Sequence, residues 1–351
     1  MYAEGYAALD YSFNDGKSIN TPYDIYSYSS ATDEYTNHKD ATGAISVNSW
    51  SNKSNTITLN ARIGYTRTFN EAHRIDAFAS YEQSKYNYSS LSGYRTNYLS
   101  SALPDLDFGS KVDADKDNGG NSTETARQNW FGRINYGYKD KYLAEFTIRY
   151  DGSMNFAQGH RWGVFPSVSA AWVISQEDFF EPLLNVVNFF KMGNDNITAY
   201  QYLSMYSFNS SASYAFGTDP SYVQGVYETR TANPLVTWEK AKTWNVGFSA
   251  QFLSGKLGLD FDYFQSRRND ILITRNASVP TYSGLSLPAE NLGKVKNHGF
   301  EVVATYRDKA GDFEWGATGN LTYANNEVVY MDEATKTPEW QRATGHPIDG
   351  I

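Results

Sequence analysis

The sequence predicts an all-β protein, an antiparallel meander that forms part of a transmembrane β-barrel. Three observations carry that expectation. Apolar residues recur with period 2 through the chain, and long stripes of helical period are hard to find. Aromatic residues make up 16% of the chain, with 28 Tyr and 8 Trp, yet the mean hydropathy is only −0.57. A barrel reconciles these figures by turning apolar side chains outward and polar ones inward, with its loops in water. The third observation is the connections, which alternate between short and long. An outer-membrane meander keeps that parity, with turns on one rim and loops on the other, and a soluble sandwich has no reason to.

Taken in order, strands are expected at 2–14, 55–69, 72–86, 127–138, 141–151, 162–175, 183–192, 241–253, 256–268, 297–308 and 312–325. The clearest is 241–253, where Trp244, Val246, Phe248, Ala250 and Phe252 share one face and Thr243, Asn245, Gly247, Ser249 and Gln251 the other. Its neighbour repeats the pattern with Leu257, Leu259, Phe261 and Tyr263, after a reversal at Leu253–Lys256 that contains a favourable Gly. Residues 127–151 read the same way: Trp130, Ile134, Tyr136 and Tyr138, a turn around Asp140, then Tyr142, Ala144, Phe146, Ile148 and Tyr150. Short reversals near Glu71, Asp140, Gly255 and Gly311 define the periplasmic rim. Long connections at 15–54, 87–126, 193–240 and 269–296 define the external one, with Tyr94, Gly152, Asp195 and Ser283 on that side. Within 193–240, Leu203–Phe216 and Tyr222–Arg230 read as a hairpin inside an extended outer loop.

Bulk properties exclude several classes. No run approaches the roughly 18 apolar residues of a spanning helix. The 39 acidic and 30 basic residues are interspersed and give a net charge of −9, which argues against a nucleic-acid partner. The absence of Cys removes disulfides, thiolate metal sites and Cys nucleophiles together. Met1–Gly5 has neither the basic leader nor the apolar run of a secretion signal, so either the protein is not exported or its start lies elsewhere.

Several strings then resemble the SusC/RagA type of TonB-dependent outer-membrane receptors. They are Phe131-Gly132-Arg133-Ile134-Asn135-Tyr136, Arg149-Tyr150-Asp151-Gly152-Ser153, Arg161-Trp162-Gly163-Val164-Phe165-Pro166-Ser167, Asn233-Pro234-Leu235-Val236-Thr237-Trp238-Glu239 and Asn297-His298-Gly299-Phe300-Glu301. The resemblance implies a 22-stranded barrel around an N-terminal plug, energised through TonB. It also implies a SusD-like surface lipoprotein as partner, a glycan or peptide as cargo, and membrane lipid around the wall. No plug or TonB-contacting segment is visible, and the barrel would continue beyond Ile351. Residues 1–351 are therefore expected to be a partial receptor barrel domain, without plug or barrel C-terminus, located in the outer membrane. The alternative is a secreted or surface-exposed all-β binding protein, which would need a second sheet to cover its apolar face.

Catalytic chemistry finds no support. The five His residues, 38, 73, 160, 298 and 346, are scattered, and no nucleophile motif or phosphate-binding glycine loop occurs. No residue is assigned a catalytic, cofactor or metal role. Asp113, Asp115, Asp117 and Glu124 do occupy positions 1, 3, 5 and 12 of a calcium-type loop. Asn118 in place of Gly at position 6 and the missing flanking helices favour a solvated acidic loop instead. Trp162, Phe165 and Trp172 are expected as rim anchors or wall packing. Tyr88, Tyr94 and Tyr98 are the more plausible ligand contacts, in the 87–126 loop.

Overall fold

The structure is a computed structural model that describes residues 1–39, 43–177, 183–194, 201–216, 221–275, 287–334 and 336–348. Asp195 and Ser283 lie outside the described residues. Eleven strands form one sheet: β1 (Tyr2–Asn20), β4 (Ser46–Phe69), β5 (His73–Thr96), β6 (Lys116–Tyr138), β7 (Tyr142–Ser153), β8 (Trp162–Val173), β9 (Leu183–Asn194), β12 (Glu239–Phe252), β13 (Leu257–Thr274), β14 (Ala289–Ala310) and β15 (Phe313–Tyr330). They follow one another in chain order across the sheet, as the meander requires. Two hairpins stand apart as separate sheets: β2 (Asp24–Ser29) with β3 (Glu34–Lys39), and β10 (Met205–Phe216) with β11 (Ser221–Arg230). The second is the hairpin expected within the 193–240 connection.

Backbone conformation accounts for the four tight reversals. Asn70 and Glu71 both adopt positive φ, as do Lys139 and Asp140, the double left-handed geometry that matches the twist of antiparallel strands. At the turn after β12 the left-handed residues are Leu253, Ser254 and Gly255, and Gly311 alone serves after β14. Residues with φ near +55° that are not glycine are locally costly. Long, well-registered ladders on both sides offset that cost, such as the unbroken pairing from Lys240↔Asn269 to Phe252↔Leu257.

Strand length departs from the expectation at the external end. β4 and β5 are each 24 residues long. At about 3.3 Å per residue either would run ~80 Å, whereas a membrane strand needs only about 9–11 residues. Residues placed in long loops therefore belong to strands. The 87–126 connection shrinks to 97–115, the 15–54 connection contains the end of β1 and the β2–β3 hairpin, and the 269–296 connection is cut at both ends by β13 and β14.

The described chain divides into two compact units. One comprises Met1–Tyr6, Asn60–Gln83 and Arg127–Ile351; the other comprises Ala7–Leu59 and Ser84–Ala126. In the first unit, register places like with like on each face. Trp130 faces Tyr150 across β6–β7, Tyr138 faces Tyr142, and Tyr142 faces Trp172 across β7–β8. Further along the same face, Val246, Tyr263, Phe300 and Tyr323 lie in one cross-strand row. This apolar face is open: Trp130, Ile134, Phe146, Ile148, Val164, Val168, Val246 and Leu321 are all exposed. Among the described residues no second sheet covers it, the cover that the soluble all-β alternative would need.

The chain beyond β15 folds back on that strand. Val328 forms an isolated parallel bridge with Thr344; its N–H donates to the carbonyl of His346 at 2.9 Å and its carbonyl accepts from the N–H of Gly345 at 2.8 Å. Gly345 has φ +91°, a conformation that side chains resist, and Ile348 N–H closes the turn on Asn326 Oδ1 at 2.8 Å.

Candidate functional site

Aromatic side chains mark two levels on the apolar face. At one level Tyr81 packs on Trp130 and Tyr150 stacks on Trp162, both at 4.5 Å between ring centroids. At the other Tyr138, Tyr142 and Trp172 form a stacked run at 6.2 Å spacings. The ten-residue step from Trp162 to Trp172, on a strand tilted by about 40°, rises roughly 25 Å, the height of an outer-membrane apolar band between its aromatic girdles. Trp162 and Trp172 thus behave as rim anchors. Phe165 does not: it is odd-numbered on β8 and points to the opposite face, where it is almost fully buried.

Glu177, just past β8, ties down the second level. It accepts hydrogen bonds from the Tyr142 hydroxyl at 2.5 Å, Lys141 Nζ at 3.0 Å and Trp172 Nε1 at 3.0 Å. The hydroxyl of Tyr142 and the ammonium of Lys141 hold its carboxyl below the ordinary Glu value. A depressed folded-state pKa adds stability that is present above the ordinary carboxylate range, near 4.3, and fades as pH falls through the lowered value. The unfolding temperature of wild type should therefore exceed that of Glu177→Gln at pH 7, and the two should converge as the detergent-solubilised protein is acidified below pH 4. A gap that persists unchanged in acid would show that the carboxylate charge is irrelevant to this rim.

The polar face of the same unit is built from charge and ring pairs. The guanidinium of Arg62 lies 3.6 Å over the Phe78 ring and that of Arg133 lies 5.3 Å from it, while Phe78 meets Phe131 edge-on at 6.1 Å. Arg149 sits 5.3 Å from Phe131 and makes a two-pronged ion pair with Asp151 at 3.0 and 3.2 Å. Glu82 collects Tyr6, Asn60 and Asn129 at 3.1, 3.3 and 3.4 Å. Alternating signs hold these long side chains in place. Beside them lies a groove of about 570 Å³ lined by Arg74, Asp76, Arg133, Glu145 and Ser169. It offers a polypeptide or a hydroxyl-rich ligand donors and acceptors without a strong net charge.

A hydrophobic cluster closes one end of this face. Phe156 and Val236 are essentially inaccessible, Phe165 and Trp238 nearly so, and Leu272 packs against them. Pro166 explains how β8 leaves space there: lacking an N–H, it falls where the β8–β9 ladder stops at Ser167. Trp238 Nε1 donates to the Arg161 carbonyl at 3.0 Å. Asn291 brackets Thr237, accepting from its N–H at 2.9 Å and donating to its carbonyl at 2.8 Å, and donates also to the Asp270 carbonyl at 2.8 Å. Asn233 anchors the segment's start through its own backbone N–H to Gln201 and its side chain to Ala289. Segment 231–238 is thus a strap, pinned between the β7–β8 loop and the outer ends of β13 and β14.

The other expected contacts are dispersed. Tyr88 and Tyr94 lie within β5 and not in a loop, and Tyr98 is buried, with desolvation raising its pKa. The calcium-type spacing does not converge. Only Asp113 and Asp115 sit in a turn, and from Lys116 the chain is extended, so Asp117 and Glu124 project to opposite faces. Asp113 pairs with Lys116 at 2.8 Å and Glu124 with Lys85 at 2.8 Å. Hydrogen bonds from Ser110 and Asn97 hold the Asp115 carboxyl below its usual value. The expected acidic loop is mostly strand, and among the described residues no group of three or more potential ligands gathers.

Comparison with known proteins identifies this architecture. The family described as "TonB dependent receptor-like, beta-barrel" matches residues 3–351. The chain belongs to that family. Its relatives are receptors and not enzymes, and the family resides in the outer membrane. TonB-dependent receptor P3 of Formosa agariphila is 29% identical over 347 residues, covering 94% of this chain and 33% of the relative. TonB-dependent receptor SusC of Bacteroides thetaiotaomicron is 32% identical over 220 residues, covering 60% of this chain and 21% of SusC. The chain thus spans about a third or less of the length of these receptors. The fold is shared with the RagAB peptide importer in its closed-closed state, with a TM-score of 0.78 at 21% identity over 93% of this chain and 34% of that one. The outer membrane transporter YddB from Escherichia coli gives 0.58 at 10% identity over 93% of this chain and 40% of that one.

Proposed function

We propose that this chain supplies eleven adjacent wall strands and the outer loops of an active importer for glycans or other large nutrients, energised through TonB. The carrying observation is the division of one sheet into an apolar face banded by two aromatic levels and a polar face bearing a braced groove. That division is what a transport wall between lipid and a watery lumen requires. Both sheet edges also bear on the reading: β1 and β15 each have a neighbour on one side only among the described residues. Unpaired backbone groups in hydrocarbon cost several kcal/mol each, so the working receptor closes these edges with further strands, making residues 1–351 one section of a larger barrel. The 22-strand count, an internal plug and a SusD-like lipoprotein partner are carried over from the SusC and RagAB likenesses as parts of the same proposal.

Uptake decides it. Cells whose receptor is deleted should lose energised uptake of fluorescently labelled oligosaccharides or peptides, regain it on complementation, and lose it again when the proton gradient is collapsed. Uptake that survives both treatments would reject the importer reading.

A further inference from the structure

The β2–β3 hairpin, which connects β1 to β4 as a two-stranded sheet of its own, carries an exposed aromatic face. Register fixes its membership: Tyr28 lies opposite Tyr35 and Tyr26 opposite Asn37, while Ile25, Ser27 and Thr36 belong to the other side. Tyr26, Tyr28 and Tyr35 are 57%, 52% and 72% exposed, yet their rings are held in place. Tyr28 and Tyr35 pack at 5.1 Å between ring centroids, and the Tyr28 hydroxyl donates to Asp33 Oδ1 at 2.8 Å. Asn37 Nδ2 donates to the Tyr26 hydroxyl at 3.4 Å. A cross-strand ring pair helps to steady an isolated hairpin, which is marginal by itself. Tyr26 stands outside that pair and is braced all the same.

Size, charge and chemistry select the occupant. Six residues at about 3.3 Å each make a strip ~20 Å long and two strands wide, roughly 200 Å², well short of the ~800 Å² per partner that a stable protein interface buries. Residues 21–37 contain no Lys or Arg, so an acidic saccharide or peptide meets no cation there. The nearby carboxylates do not favour a cationic ligand either, because Glu34 belongs to the other side and Asp33 is engaged by Tyr28. No aliphatic side chain shares the face, and the rings are edged by hydroxyls and an amide. A sugar ring needs both: its C–H face lies on an aromatic ring while its hydroxyls find donors and acceptors at the ring's edge. We infer that this face is a capture platform for a neutral saccharide chain. Successive sugar units stack on Tyr26 and on the Tyr28–Tyr35 pair, and Asn37 with the Tyr26 hydroxyl exchanges hydrogen bonds with sugar hydroxyls. The inference deepens the importer reading by giving its glycan cargo a first contact, and rests on that reading for the cargo's onward route.

Binding by the purified full-length receptor in detergent tests this, read on a printed array of neutral oligosaccharides, uronic-acid oligosaccharides and basic peptides. Neutral oligosaccharides should be retained and the other two classes not. Calorimetric titration with the best-retained neutral oligosaccharide should then show Tyr28→Ala weakened about tenfold, the worth of one ring contact. Tyr28→Phe keeps the ring and should keep most of the affinity, and Thr36→Ala, on the opposite side, should bind as wild type does. Should limited proteolysis show that Tyr28→Ala opens the hairpin, Tyr26→Ala, outside the ring pair, carries the same comparison. Equal affinity of wild type and the Tyr→Ala variants would overturn the inference and place saccharide binding elsewhere in the receptor. An array that retains basic peptides, or no neutral oligosaccharide, would overturn it as well. Because affinity is read on purified protein without a proton gradient, failure here leaves the uptake result untouched, and failed uptake leaves this binding result standing.

Discussion

Replacing Trp238 with Ala should cost about 3–5 kcal/mol and free the strap from the wall. Its ring packs at 5.2 Å on Phe156 and at 5.5 Å on Phe165, and its indole N–H closes on the Arg161 carbonyl. Truncation leaves a void among Phe156, Phe165 and Val236, whose backbones are fixed by strand pairing and the strap's hydrogen bonds, so collapse can recover little of the loss. Trp238→Phe keeps most of the ring and forfeits the hydrogen bond, a cost of about 1 kcal/mol. Hydrogen exchange at Thr237, whose N–H is held by Asn291 Oδ1, reads the effect locally, and denaturant unfolding reads it globally. If Trp238→Ala leaves both unchanged, the cluster is incidental contact and not the anchor of the outer loops.

A charge in the middle of the apolar band should be almost as damaging. Phe146 lies midway between Tyr142 and Tyr150 on the lipid side of β7, and an Arg there should destabilise the receptor by about 2–4 kcal/mol. The adjacent Thr147 faces the lumen, where its hydroxyl meets Glu145, so Thr147→Arg should cost far less. Unfolding of the two variants in lipid vesicles compares opposite sides of one strand at one depth. Similar penalties for both would mean that the faces are wrongly assigned.

These two sites also show where sequence reasoning reaches and where it stops. Phe146 was legible because alternation with Ala144 and Ile148 against Glu145 and Thr147 is a property of the strand itself. All eleven strands of the main sheet were readable on the same basis. Their outer ends were not, since Lys116–Asn121 is polar on both faces and Ser46–Ser54 has only Val47 and Trp50, one on each parity, so neither stretch shows an alternating pattern of side-chain type. The strap escaped for a different reason. Val236 and Trp238 sit two residues apart in a connection, a hint of one buried side, but what buries them comes from Phe156 and Phe165, more than 70 positions away. Phe165 could have been separated from Trp162 and Trp172 by parity alone, since an odd residue on β8 cannot share a face with two even ones. The carboxylates of 113–124 show the reverse error, a spacing that suggests convergence in a loop and loses it once the backbone is extended.

The fold-back at Val328 has a consequence for how the barrel is put together. Both backbone groups of Val328 that point away from β14 are already occupied by Gly345 and His346, so this stretch of the edge is closed to any other chain. In a barrel closed as proposed, a strand joining β15 would have to give way at Val328. Register slippage is a common hazard of β assembly, because the wrong alignment differs from the right one only by a shift along the ladder. In that proposed barrel the fold-back would act as an end-stop that limits how far a neighbouring strand could slide along β15.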